Sequence, residues 1–161
     1  MFEVRLRNPD DGSSYNEKDT NSDGLFNDAD SIGGRGYSSS ENTAQGGNTT
    51  SITLSNTETA NSTKYIGMRV VITAGTGAGQ YGFISAYNSG TKVASIAKES
   101  DNAAGWETWH PTNGIAATLD ATTAYSIEPR IQVVGGGGSG AQVRASVTTG
   151  RITQFYIVNP G

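Results

Sequence analysis

The chain has no cysteine, so no disulfide can tie its loops together. It has one histidine, His110, which leaves a nucleophilic triad or a histidine-rich metal site without the partners that such chemistry needs. Leucine is scarce, apolar residues make up 34% of the chain, and no segment sustains a 3.6-residue apolar period. A helical core is therefore excluded. Lysine and arginine form no stripe, and the net charge of −4 disfavours nucleic acid as a partner. No apolar run approaches the length that spans a bilayer, so membrane insertion is not expected.

What the chain does have is glycine, 22 residues of it, with abundant serine, threonine and asparagine. That composition fits an all-β protein with modest cores, which at 161 residues forms one domain or two small ones. The stretch Tyr65 to Lys98 carries the clearest pattern. Met68, Val70 and Ile72 alternate with Arg69, Val71 and Thr73. Gln80 to Tyr87 repeats the pattern, with Tyr81, Phe83 and Tyr87 expected on one side, and Thr91 to Ala97 makes a third run. A period of two means strand, because successive side chains point to opposite faces of a sheet. Asn88-Ser89-Gly90 is expected to close a hairpin, with Gly90 taking a positive φ. The result is a three-stranded meander that needs cover on one face.

Further strands are expected at Phe2 to Arg7, Thr50 to Ser55, Thr123 to Ile127, Arg130 to Val134, Ala141 to Val147 and Ile152 to Val158. The region Ile32 to Thr49 reads as a long surface loop. These elements predict small antiparallel β-sandwich or barrel-like modules joined by Gly/Ser-rich loops. Three segments are expected: 1–49, an N-terminal strand with a calcium-type loop and a long polar loop; 50–131, a β module; and 132–161, a glycine-rich hairpin that starts a further module. With no leader ahead of the first strand, synthesis in a cytoplasm is expected. The closing Asn159-Pro160-Gly161 is a turn signal, which predicts that the sequence belongs to a longer polypeptide.

One motif carries sharp chemistry. From Asp19 to Asp30 the chain follows the twelve-position calcium loop. Asp19, Asn21 and Asp23 place oxygens at positions 1, 3 and 5. Gly24 provides the sharp turn, Leu25 offers its carbonyl at position 7, Asn27 takes position 9 and Asp30 closes the loop. The shorter aspartate at position 12 and the absence of flanking helices depart from the helix-loop-helix sensor. The loop instead resembles the isolated DxNxDG loops of dockerins and thrombospondin-type repeats, which implies a structural calcium ion.

Other signals are weaker. Gly75-Thr-Gly77-Ala-Gly79-Gln80 lacks the Lys-Ser/Thr and the helix of a phosphate loop, and reads as a strand-to-strand turn. Trp106, Trp109 and Tyr125 are candidate glycan or interface contacts, with a core role as the alternative. The carboxylates Glu99, Asp101, Glu107, Asp120 and Glu128 show no spacing that selects a glycosidase pair. No catalytic residue is assigned, and the protein is expected not to be an enzyme.

The run YIGMRVVITAGTGAGQYGFISAYNSGTKVASIAKES, then AGWETWHP and AYSIEPRI, resembles a module in virion structural proteins of contractile-tailed phages of marine cyanobacteria. The resemblance covers Tyr65 to Ile131. It implies a modular, β-rich part of a tail, baseplate or fibre, made in a host cytoplasm and working outside it. Its partners would be copies of itself and other virion proteins. A calcium-dependent carbohydrate-binding or host-recognition module is the alternative, and a polysaccharide-degrading enzyme is a third reading.

Overall fold

The computed structural model describes residues 2–7, 14–15, 40–109, 111–135, 141–148 and 151–160. Among them there is no α-helix, only a single 3-10 turn, Pro111–Asn113. The protein is all-β. It divides into two compact units, Ser40–Ile127 and Met1–Ser39 with Glu128–Gly161. The first unit thus begins ten residues earlier than the sequence suggests, and the N-terminal strand groups with the C-terminal region.

In the second of these units, β1 (Phe2–Arg7) pairs antiparallel with β12 (Ile131–Gly135) on one side and β2 (Ser14–Tyr15) on the other. β13 (Gln142–Thr148) and β14 (Arg151–Asn159) form a separate two-stranded antiparallel sheet.

The Ser40–Ile127 unit is built on one large sheet. Its strands are β3 (Ser40–Thr43), β4 (Gly46–Asn48), β5 (Ser51–Thr53), β6 (Arg69–Ala74), β7 (Gln80–Asn88), β8 (Val93–Ala97), β9 (Glu107–Thr108), β10 (Thr118–Leu119) and β11 (Ala124–Glu128). The order is β10-β4-β5-β8-β7-β6-β11-β3, with β9 added to β7. The expected β6-β7-β8 meander lies at its centre, antiparallel throughout. Polar β3 and β4 lie inside the stretch expected as a loop. Their sequences, SENT and GGN, carry no apolar alternation; main-chain pairing recruits both, and side-chain bonds from Ser40 and Asn42 add to it in β3.

Val70 and Ile72 of β6 point into a core with Ile52, Leu54, Ile84, Ile96, Trp106, Leu119, Tyr125 and Ile127. The expected alignment of Tyr81, Phe83 and Tyr87 does not hold. The register between β7 and β8 shifts between Ile84 and Ala86, a bulge that adds one residue and re-aims everything after it. Ile84 and Tyr87 therefore share the core, while Tyr81 is buried on the opposite face with Val71 and Arg69. That face is covered by the segment after β8, which returns through β9 to pair with β7.

Turn geometry also departs from expectation at one place. In the β7–β8 hairpin Asn88 Oδ1 accepts hydrogen bonds from the main-chain N–H of Gly90 (3.0 Å) and Thr91 (3.1 Å). This closes the loop without a left-handed Gly90, and the positive φ falls on Lys92 instead, at +60°. The GTGAG stretch is the β6–β7 turn, as its lack of a lysine predicts. Gly75 sits at φ +73°, and a Cβ there would lie 1.9 Å from the carbonyl oxygen of Thr122.

Candidate functional site

The calcium-type ligands Asp19, Asn21, Asp23, Leu25, Asn27 and Asp30 lie outside the described residues, as does His110. The three aromatic candidates are described, and they separate. Trp106 is fully buried, and its Nε1–H donates to the carbonyl of Asn48 at 2.9 Å. Tyr125 is equally buried. The core, not a sugar platform, is the place of both rings, because each finds a polar partner for its one polar atom inside the sheet. Trp109 alone is partly exposed. It stacks on Tyr81 with ring centroids 5.0 Å apart and planes 15° from parallel. Burial pushes the Tyr81 hydroxyl above its ordinary range, the charges of Glu107 and Glu99 add to this, and Arg69 opposes it.

The carboxylates are engaged in structural bonds. Glu99 takes a bidentate bond from buried Arg69, with Nε to Oε1 at 2.6 Å and Nη2 to Oε2 at 2.7 Å. Glu107 Oε2 accepts the Glu99 N–H. Asp120 is exposed, accepts from Thr122 and Thr76, and is held below the usual carboxylate range by those bonds. Glu128 pairs with Arg144.

The most elaborate cluster surrounds Glu58, a residue that the sequence pattern leaves in a polar linker. Its carboxylate is buried and accepts from Ser40 Oγ at 2.6 Å, Tyr125 Oη at 2.6 Å and Tyr65 Oη at 2.5 Å. Lys92 Nζ donates to the Glu58 main-chain carbonyl at 2.9 Å, and Tyr87 Oη donates to Thr59 O at 3.0 Å. Burial pushes the Glu58 carboxyl up, but the bonds from Ser40, Tyr125 and Tyr65 outweigh it and hold the group below its ordinary value. Burial and the adjacent carboxylate push both tyrosine hydroxyls far above theirs. An ionised acceptor surrounded by hydroxyl donors is satisfied, not poised for proton transfer. Glu58 is a clasp that pins the β5–β6 connection to β3, the β7–β8 turn and β11. No local sequence pattern announces it, because its partners lie at positions 40, 65 and 125.

One surface lacks such completion. In β14, Phe155 is 48% exposed, Tyr156 45%, Ile157 69% and Val158 38%. Their register partners on β13 behave differently: Val143, opposite Ile157, and Ala145, opposite Phe155, are buried. Cross-strand partners share a face. The apolar face of this hairpin is therefore covered over β13 and open over β14. Among the described residues β14 pairs only with β13, so its second edge has no ladder. An isolated two-stranded hairpin is marginal in water. This surface is the best candidate for an interaction site.

No protein-family model, curated protein or solved structure matches the chain.

Proposed function

We propose that the protein is a non-enzymatic β-structural module of a multi-subunit particle, a phage tail, baseplate or fibre, with a structural calcium ion in the Asp19–Asp30 loop. The observation that carries this reading is the pair Phe155 and Ile157, exposed on the apolar face of a two-stranded sheet. Contiguous exposed apolar residues mark association surfaces, and an open β edge favours a partner strand. The carboxylates support the same reading. Glu58, Glu99, Glu107 and Asp120 each hold the fold together. The carbohydrate-binding alternative loses support, because Trp106 and Tyr125 are buried and Trp109 remains without them.

The resemblance of Tyr65 to Ile131 to cyanophage virion proteins supplies the particle type. Antibodies against the chain test it on purified particles of phages that infect marine cyanobacteria. Decoration of one substructure, seen by electron microscopy, is the expected result. Recovery of the chain only from the soluble fraction of lysed host cells would remove the virion assignment.

A further inference from the structure

We infer that Asn113 is a self-modifying position: its carboxamide closes onto the main-chain nitrogen of Gly114, and the loop after β9 acquires a new carboxylate. The inference is independent of the particle assignment.

The reaction needs only water. The Gly114 nitrogen attacks Asn113 Cγ, the Cγ–Nδ2 bond breaks, and the Gly114 proton leaves with the amide group as ammonia. The product is a cyclic imide. Water then adds to one of its two carbonyls and breaks that carbonyl's bond to the Gly114 nitrogen. Opening at Cγ gives aspartate; opening at the main-chain carbonyl gives isoaspartate, with the chain running through Cβ. Nothing is oxidised or reduced, and the loss of ammonia makes the change permanent. Asparagine is among the thermolabile residues for this reason.

Sequence and structure select the same position. Asn113-Gly114 is the only Asn-Gly pair in the chain. Every other described asparagine precedes proline or a residue whose Cβ crowds the attacking nitrogen. Gly114 has no Cβ, and one built on it would meet nothing within 4 Å. Both residues are exposed. Elsewhere the carboxamide oxygen is tied to the following main chain. Asn42 Oδ1 accepts from the N–H of Thr43, Asn48 Oδ1 from Thr50, Asn61 Oδ1 from Thr63, and Asn88 Oδ1 from Gly90 and Thr91. The Asn113 carboxamide makes no such bond among the described residues.

The backbone can reach the reactive geometry. Asn113 ends the 3-10 turn Pro111–Asn113, and ring closure rotates its Cα–C bond and opens that turn. Hydrogen bonds of a 3-10 turn have poor geometry, so a single exposed turn opens at little cost. The loop is fastened on both sides. Trp109 N–H donates to Gly79 O at 3.2 Å, and Ala116 N–H donates to Gln80 Oε1. The added carboxylate, and in isoaspartate the lengthened main chain, stay between these two anchors. Each converted chain carries one negative charge beyond its net −4.

The test ages the full chain in mildly alkaline buffer, below its unfolding transition, and maps its peptides by mass spectrometry. The expected result is an amide-to-acid mass gain at Asn113, split between two separable products, with Asn88 unchanged. The rate should rise with pH, because the nitrogen attacks as its conjugate base. Anion exchange of the aged chain should show a later-eluting form that Asn113→Gln removes, since the longer side chain closes a larger ring more slowly. An aged folded chain that keeps the Asn113 amide, while the urea-unfolded chain loses it, would overturn the inference. Equal conversion at Asn88 would overturn the structural selection of Asn113.

Discussion

Glu58 gathers three hydroxyl donors on one buried carboxylate. Glu58→Gln keeps the shape but removes the charge that makes the Ser40, Tyr65 and Tyr125 bonds strong. A loss of roughly 1–3 kcal/mol is expected, read as a lower midpoint in thermal or denaturant unfolding. The pH dependence follows from the same bonds. The folded carboxyl titrates below its ordinary value of 4.5, so its stabilisation is complete above that value. It is lost as the pH falls through the folded pKa. The difference between the native chain and Glu58→Gln should therefore be constant from about pH 7 to 5 and shrink below about pH 4.5. A difference that grows on acidification would contradict the clasp. None of this was legible beforehand. Glu58 stands in NTETANSTK, a polar run with no periodicity, and its partners come from positions 40, 65 and 125, which a local pattern cannot join. The buried Arg69–Glu99 pair was hidden for the same reason: alternation placed Arg69 on a non-core face, and its partner Glu99 comes from thirty residues further along the chain.

At the scale of elements, alternation did most of the work. The strands at Phe2, Ser51, Arg69, Gln80, Val93, Ala124, Ile131, Gln142 and Arg151 were readable because apolar side chains recur every second residue. The two-residue strands β2 and β9 are too short to alternate, and two further features escaped that signal. The bulge after Ile84 reversed the facing of Tyr81 relative to Tyr87, and no residue type announces a bulge there. The polar strands β3 and β4 exist because their neighbours present open edges. The turns are more exacting. Gly75→Ala adds a Cβ that would lie 1.9 Å from Thr122 O at a positive φ. Gly114→Ala, at φ +61°, meets nothing within 4 Å. The second should cost about 1–2 kcal/mol from φ alone and the first clearly more, as chemical denaturation of the two variants will show. The Asp19–Asp30 loop is also tested as an element. Calcium addition is expected to raise the melting temperature, with an effect that Asp19→Ala/Asp23→Ala removes. Calorimetry showing no heat of binding at millimolar calcium would exclude the site.

For the whole molecule, the division into two units predicts two kinds of stability. The Ser40–Ile127 unit holds the large core, the Glu58 clasp and the Arg69–Glu99 pair. Expressed alone as residues 40–127, it should unfold in one cooperative transition with dispersed amide resonances; a molten spectrum would show that it depends on the rest of the chain. One detail of its topology has a practical consequence. Ser40 is the register partner of Ile127, so the chain enters and leaves this unit on adjacent strands, about 5 Å apart. Such closely spaced ends match the gap spanned by an ordinary hairpin loop. The unit is built like a cassette: it could be grafted into a surface loop of an unrelated scaffold, or lifted out of this one and bridged by a short turn, without stretching either backbone.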